Sequence, residues 1–130
     1  MKQVVTCFLK HNSKILILPR SHNVGSFKGK WAGISGFIES TADEQAFTEI
    51  AEETRLSRDD VNLVKKGLPL EVEEEGNSWV VLSYLFGIKN KEKIEVDWEH
   101  NELKWIEPRE IDNYDTVPML KETLKRVYEF

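Results

Sequence analysis

Short runs rich in β-branched and aromatic residues recur along the chain and predict β-strands. The strands are expected at residues 4–9, 14–18, 35–39, 61–72, 79–88 and 103–106. A turn at residues 11–13 separates the first two, which indicates a hairpin, and an acidic turn at residues 73–77 separates the fourth and fifth. Residues 21–33 hold three glycines and little periodicity, so we expect a long loop of a length that is usually functional.

Two other segments repeat their apolar residues at helical spacing. The first, residues 40–54, opens with a capping-box signature, Thr41 followed three residues later by Glu44. Its apolar face consists of Ala42, Ala46, Phe47 and Ile50. The second is residues 118–128, and its inward residues are Leu120, Leu124 and Val127. Strands on both sides of a central helix, together with a closing helix, predict a mixed α/β domain.

The composition is that of a globular protein. With 130 residues the chain has the length of one ordinary domain, and 40% apolar with 32% charged residues is typical of folded proteins. No apolar run is long enough to span a bilayer, and the first residues lack the pattern of a signal peptide. A single cysteine, Cys7, excludes an internal disulfide and suggests a buried thiol. We therefore expect one domain, residues 1–130, in the cytoplasm.

The acidic charge balance narrows the possible partners. The formal net charge is −5, from 23 acidic and 18 basic residues, which argues against a protein that coats polymeric nucleic acid. A phosphorylated small molecule remains compatible with this charge, because cations bound by a carboxylate cluster reverse the local sign and attract phosphate.

The central helix carries such a carboxylate cluster. Glu49, Glu52 and Glu53 stand at positions i, i+3 and i+4, which share one side of a helix. Each like-charge pair costs about 0.2–0.5 kcal/mol, and acids near a helix C-terminus oppose the helix dipole. A hard divalent cation, Mg²⁺ or Mn²⁺, would relieve this repulsion. The alternative is an ordinary solvated face. Against it, Gly36 and Glu39 directly upstream supply a backbone that a ligand can approach and a further carboxylate.

Two runs in this region, WAGISGFIE at residues 31–39 and EQAFTEIAEETRL at residues 44–56, resemble the signature of the Nudix family. That signature, the Nudix box, reads G-x5-E-x7-R-E-U-x-E-E-x-G-U, where U is aliphatic. Residues 16–21 are similar to the family's second strand and trailing arginine, and residues 99–106 to its late acidic loop and tryptophan-containing strand. The resemblance implies an α/β/α sandwich with a mixed central sheet.

The resemblance also implies a function, the metal-dependent hydrolysis of a phosphoanhydride bond in a nucleoside diphosphate derivative. Mg²⁺, with Mn²⁺ as a substitute, would polarise the bridging phosphate and activate a water for attack. The implied metal ligands are Glu49, Glu52, Glu53 and the backbone carbonyl of Gly36, with that of Ser35 as its alternative. The implied catalytic residues are Glu49, Glu53 and the late-loop acid Glu99, with Glu102 as its alternative. The candidate substrate-binding residues are Arg20, Lys30 and Glu39, with Lys28 as a further cation, and Trp98, whose acidic neighbours favour an exposed ring that could stack on a base. For the cations and the late-loop acids, ordinary solvated surface is the alternative reading.

The box departs from the family pattern at three points. It is two residues short after Glu39, so the family's first box glutamate is missing. Thr48 stands where the family has an arginine that orients a box carboxylate. Arg55 stands in place of the glycine that ends the helix and must take up the helix C-cap at a conformational cost. A nucleotide-binding or regulatory module of the same fold, with weak catalysis, is therefore the alternative function.

Overall fold

The computed structural model of the chain describes residues 1–20, 27–96 and 102–130. The strands are β1 (Lys2–His11), β2 (Lys14–Pro19), β3 (Trp31–Ala32), β4 (Ile34–Phe37), β5 (Val61–Lys66), β6 (Leu70–Glu74), β7 (Asn77–Ile88) and β8 (Lys104–Ile106). The α-helices are α1 (Ala42–Thr54) and α2 (Leu120–Lys125), and short 3₁₀ turns occupy Arg58–Asp60, Lys91–Lys93 and Pro108–Asn113. Among the described residues, no helix is long and apolar enough to cross a membrane.

The strands form one mixed sheet. Its order is β3-β2-β1-β7-β5, and β4, β6 and β8 extend it by pairing with β1, β7 and β2. The central pair, β1 and β7, is parallel from Lys2 opposite Trp79 to Lys10 opposite Gly87, whereas the other pairs are antiparallel. The predicted hairpin between the first two strands is confirmed, with Asn12 in its turn at φ 58°.

The two helices cover opposite faces of this sheet. Because side chains alternate along a strand, Val5, Cys7 and Leu9 of β1 pack on one face with Ala46 and Ile50 of α1. On the other face, Phe8 of β1 packs with Leu120 and Leu124 of α2. Burying each large apolar side chain contributes roughly 1.5–3 kcal/mol. The predicted α/β/α sandwich with a mixed central sheet is confirmed, as is the buried thiol of Cys7.

The predicted lengths of one strand and of one turn are wrong. The single strand expected at residues 61–72 is two strands, β5 and β6, separated at residues 67–69. Pro69 lacks the N–H that a ladder requires, and the N–H of Gly67 donates to the carbonyl of Ser83 at 2.8 Å. The acidic turn expected at residues 73–77 is tighter than predicted, because Glu74 pairs with Asn77 and leaves a two-residue turn with positive φ at both positions.

Two further boundaries also differ from expectation. The loop expected at residues 21–33 ends earlier, because β3 pairs with β2 through Ala32 opposite Leu18; residues 21–26 lie outside the described residues. The closing helix, expected at residues 118–128, is shorter, because Met119 adopts a left-handed φ of 64° that a helix interior does not accept. Val127 is nevertheless buried as predicted.

Candidate active site

Gly36 and Glu49 are packed directly against each other. Gly36 lies on β4, opposite Val5 of β1, and its strand is in contact with α1. A Cβ atom placed on Gly36 would stand 2.5 Å from each carboxylate oxygen of Glu49, closer than real Cβ atoms come to their neighbours. Any side chain at residue 36 would therefore displace the Glu49 carboxylate, and glycine lets that partly buried group lie on the strand backbone.

Gln45 connects this carboxylate to the loop that precedes α1. Its side-chain Nε2 donates to Oε2 of Glu49 at 2.8 Å, across one turn of the helix. Its Oε1 accepts the backbone N–H of Glu39 at 3.2 Å. Gln45 is buried, and these two hydrogen bonds satisfy both halves of its amide inside the protein.

The electrostatic surroundings of Glu49 are strongly acidic. Burial raises the pKa of the Glu49 carboxyl above its usual value, and the hydrogen bond from Gln45 partly opposes that rise. The charges of Glu52, Glu53 and Glu39 raise the pKa further. Four carboxylates thus lie close enough to interact, and a cation placed among them would reverse the local sign of charge.

Arg20 lies beside the acidic face of α1. The N–H of Arg20 donates to the carbonyl of Lys30 at 2.8 Å, and its carbonyl accepts from Gly29 at 3.0 Å, which fixes the backbone just beyond β2. Burial lowers the pKa of the Arg20 guanidinium, and the charge of Glu53 acts in the opposite direction. The fold therefore brings a predicted phosphate-binding cation within electrostatic reach of a predicted metal ligand.

Polar contacts fix the first turns of α1 to the sheet and to the following turn. The carboxylate of Asp43 accepts the Tyr84 hydroxyl at 2.5 Å and the Lys66 ammonium at 2.8 Å. Glu44 forms an ion pair with Arg58 at 2.7 Å. These contacts hold the part of the helix that carries Gln45, one turn before Glu49.

The C-terminal end of α1 carries no basic residue in its last turn. Arg55 caps the helix in the left-handed conformation, with φ 65° and ψ 10°, as its place in the box predicts. Its N–H donates to the carbonyl of Ala51 at 2.9 Å. The buried Thr54 hydroxyl donates to the Ile50 carbonyl at 2.6 Å and accepts the N–H of Leu56 at 3.3 Å. The helix is thus properly terminated although its acids oppose its dipole.

The side chains and backbone around Gly36 offer the kinds of ligand atom that a divalent cation binds. Their donors are carboxylate oxygens beside a bare strand backbone, the hard ligands that Mg²⁺ prefers. In the part of the chain that the structure describes, however, no three His, Cys, Asp or Glu side chains are already grouped so as to hold a metal ion. Glu52 is exposed and Glu53 is partly exposed, in keeping with the mutual repulsion of these acids. Their role as joint ligands stays a prediction.

The comparison that decides the family is the match to a known domain model. The model of the NUDIX domain matches residues 1–128. The chain belongs to the Nudix family. No curated protein matches it.

Solved Nudix structures share the fold across almost the whole chain. A MutT protein from Methanosarcina mazei Go1 is 18% identical with a TM-score of 0.78, over 97% of this chain and 91% of that one. An Ap4A hydrolase from C. elegans, in a binary complex, is 16% identical with a TM-score of 0.75, over 97% and 94%. The NUDIX domain of Shewanella oneidensis NrtR, complexed with ADP ribose, is 15% identical with a TM-score of 0.67, over 95% and 85%. At these identities the likeness is one of fold.

The other predicted residues of this Nudix domain fall in several places. Lys30 forms an exposed ion pair with Asp115 at 2.9 Å. Lys28 and Glu102 are exposed. Trp98 and Glu99 lie outside the described residues.

Gln45 is the contact in this Nudix box that sequence reasoning missed. A signal was present, because Gln45 stands four residues before Glu49 and such pairs are neighbours on a helix surface. Its second contact, with the N–H of Glu39, depends on how the shortened loop returns to the helix. The path of that loop depends on tertiary packing, and no pattern of apolar and polar residues in the sequence predicts it.

Proposed function

We propose that this Nudix protein is a pyrophosphohydrolase that cleaves a phosphoanhydride bond in a nucleoside diphosphate derivative. The observation that carries the proposal is the packing of the Glu49 carboxylate on the backbone of Gly36. A glutamate that belonged to a solvated helix face would need no glycine beneath it. The family membership of residues 1–128 supports the same reaction class.

The proposed cofactor is Mg²⁺, with Mn²⁺ as a substitute, held by Glu49, Glu52, Glu53 and the carbonyl of Gly36. When bound, the cation supplies Lewis-acid polarisation of a phosphoryl oxygen and a water of lowered pKa. The carboxylates supply the negative charge that holds it, and their mutual repulsion is relieved on binding. The charge of Glu39 adds to the field at Glu49.

The remaining roles follow from the chemistry of each side chain. We assign Glu49, Glu53 and Glu99 to orienting the attacking water and accepting its proton. Arg20 presents a planar fork that suits two phosphate oxygens at once. Lys30 would have to leave Asp115 to reach a phosphate, an exchange that is cheap because exposed ion pairs are worth about 0–1 kcal/mol.

The substrate side of the proposal concerns a small molecule. Trp98 is assigned to stacking on the base, a use that suits a flat ring with a polar edge. Glu39 is assigned to the substrate as well, through its position at the end of the Gly36 loop. We propose that the chain acts as one domain in the cytoplasm, without polymeric nucleic acid or membrane as a partner.

A second function is favoured by the residues that depart from the box. Thr48 is exposed and uncharged, and Arg55 occupies a left-handed conformation in place of glycine. The first change removes an ion pair that would orient a box carboxylate, and the second adds backbone strain at the end of the helix that carries the acids. The alternative is therefore a Nudix-fold module that binds a nucleotide derivative and turns it over slowly or not at all.

Incubation with a panel of nucleoside diphosphate derivatives separates the two functions. With Mn²⁺ or Mg²⁺ present, we expect release of a phosphorylated product from at least one compound, measured by chromatography. Glu49→Gln and Glu53→Gln should each lower kcat by about 100-fold or more, because they remove an acid that acts on the reacting water. Tight binding without product across the panel would establish the binding module instead.

Two measurements support the interpretation of that panel. Glu44→Gln makes the same chemical change on the same helix, at an acid paired with Arg58, and should leave turnover close to wild type. In the absence of substrate, a hundredfold excess of Mg²⁺ over its Kd should stabilise the protein by about 2.7 kcal/mol and raise the melting temperature. Glu53→Gln should lose most of that gain. A wild-type protein without a metal-dependent shift would count against the site.

A further inference from the structure

Gln45 uses both halves of one buried amide to join two parts of the site. The carboxylate of Glu49, when ionised, can only accept a hydrogen bond, and the backbone N–H of Glu39 can only donate one. A single orientation of the Gln45 amide satisfies both, with Nε2 at 2.8 Å from Glu49 and Oε1 at 3.2 Å from Glu39. Both the carboxylate and the loop are thereby fixed relative to α1.

The restraint acts on a carboxylate that its surroundings repel. Glu39, Glu52 and Glu53 all act on Glu49 with the same sign of charge, so an unrestrained side chain would turn toward water. Gln45 donates a hydrogen bond to Oε2 of that carboxylate, and the absence of a side chain at Gly36 leaves the space that the carboxylate occupies. Thr48, the residue before Glu49, is exposed and carries no charge with which to do the same.

We infer that Gln45 is a positioning residue, which sets the Glu49 carboxylate on Gly36 in the orientation that receives the divalent cation. It acts through Glu49 and does not touch the substrate. The inference rests on the proposed function, because it concerns the same site. Gln45 also ties the shortened loop to the helix, because the other half of its amide accepts the N–H of Glu39.

The variant Gln45→Met tests the inference, because methionine has a similar length, suits a helix and offers neither a donor nor an acceptor of comparable strength. Without substrate, we expect the Mg²⁺ Kd measured by calorimetry to rise by about 10–100-fold, the usual effect of losing a residue that orients a metal ligand. With substrate, kcat should fall by a similar factor at saturating Mg²⁺ while KM changes little, because the lost contact orients a reacting group. The backbone amide of Glu39 should exchange its hydrogen faster.

The matched control is Gln3→Met, the same chemical change at an exposed side chain. The backbone of Gln3 supports the same loop, since its carbonyl accepts the N–H of Ile38 at 3.0 Å. We expect this variant to keep the wild-type Mg²⁺ Kd, kcat and exchange rate. Equal changes in both variants would mean a general effect on the loop and would overturn the inference.

A second variant separates the two contacts and does not depend on the stability of Gln45→Met. Gln45→Glu has the same length and keeps an acceptor for Glu39, and once ionised it cannot donate to Glu49. The assay is run over a pH series up to alkaline pH, because a carboxyl beside Glu49 keeps its proton at neutral pH and can then still donate. We expect slow exchange of the Glu39 amide to be retained while kcat remains low. A kcat of Gln45→Glu that stays equal to wild type at every pH of the series would overturn the inference.

Failure of the inference and failure of the proposed function give different results. If wild-type protein neither binds Mg²⁺ nor releases product, the proposed function fails and the role of Gln45 fails with it. If wild-type protein does both and Gln45→Met matches it in Mg²⁺ Kd and kcat, the positioning role alone is overturned.

Discussion

Arg55 ends the acidic helix in a backbone conformation that costs energy for any residue with a side chain. Its φ of 65° lies in the left-handed region, where Cβ crowds the following backbone. The conformation is held because the N–H of Arg55 satisfies the carbonyl of Ala51 and because buried Leu56 follows directly. The helix end is therefore enforced by its surroundings against the preference of the residue.

Glycine at this position should relieve the cost. We expect Arg55→Gly to be more stable than Arg55→Ala by about 1 kcal/mol, because glycine adopts positive φ without strain. The alanine variant is the reference since both lose the same positive charge near the helix C-terminus, an effect of about 0.3–1 kcal/mol in its own right. Denaturant unfolding monitored by circular dichroism measures the difference. Equal stabilities would show that Arg55 is unstrained.

For single residues, the sequence predicts local backbone conformation and position on a helix better than it predicts contacts between side chains. The left-handed Arg55 could be expected, because a helix must end there and the box places glycine at that position. The three helix acids could also be located from spacing alone. The contact between Gln45 and Glu39 could not, because it depends on the path of a loop that is shorter than the family pattern.

Among the elements, α1 depends on contacts made by its first turn. Tyr84 is buried on β7, and its hydroxyl reaches the exposed carboxylate of Asp43, which also binds Lys66. Nearby, Arg58 pairs with Glu44 and lies 4.2 Å from the ring centre of Phe47. The helix is thus attached to the sheet before the chain reaches Glu49.

Removing the hydroxyl that makes this attachment should weaken the protein measurably. We expect Tyr84→Phe to lose about 1 kcal/mol of unfolding free energy, since a hydrogen bond to a charged group is lost at a partly exposed acceptor. Thermal and denaturant unfolding give the value. Tyr128→Phe, a partly buried tyrosine near the opposite helix, is the control for loss of a phenolic hydroxyl. A stability of Tyr84→Phe equal to wild type would show that Asp43 is satisfied by Lys66 and water.

Elements defined by local pattern were predicted well, and those defined by distant contacts were not. The first hairpin and α1 follow from alternation, helical spacing and the cap at Thr41, whose hydroxyl accepts the N–H of Glu44 at 3.2 Å. The division of residues 61–72 reflects Pro69, a local signal that the prediction missed, and also the packing of Gly67 against Ser83 and Arg126, which come from β7 and from the end of α2. No local signal in the sequence describes that contact.

For the molecule as a whole, acid stability should depend on an ion pair that joins two segments at one end of the sheet. The carboxylate of Asp60 accepts from Lys93 at 2.9 Å and from the N–H and hydroxyl of Ser57 at 2.8 and 3.0 Å. These contacts, that with Lys93 first, lower the pKa of Asp60 to about 2. Because the folded pKa lies below the unfolded value of about 3.9, the carboxylate stabilises the fold above that value.

This stabilising contribution should disappear as the pH falls from about 4 to about 2. We expect the melting temperature of wild type to fall more steeply across that window than that of Asp60→Asn, which is the less stable protein near neutral pH. Asp59→Asn, at the exposed neighbouring residue, should follow wild type. Calorimetric melting at a series of pH values measures the slopes. Parallel curves for wild type and Asp60→Asn would contradict the prediction.

The whole fold was more predictable than the site it supports. The order of elements predicted a mixed α/β domain, and the resemblance to the Nudix box implied the two helix layers on a mixed sheet. The proposed metal site needs several acids in one orientation. That orientation opposes the repulsion between the acids, so packing and hydrogen bonds must impose it. Gly36 and Gln45 provide such packing and such a hydrogen bond for one of these acids, Glu49.

The contact between residues 36 and 49 also links the evolutionary histories of two positions, one on a strand and one on the following helix. While the carboxylate of residue 49 must stay where it lies, selection against every side chain at position 36 should persist, even in a lineage whose substrate has changed. A descendant that replaced Glu49 with a smaller residue would release position 36 to drift, so the two losses should appear together on a family tree.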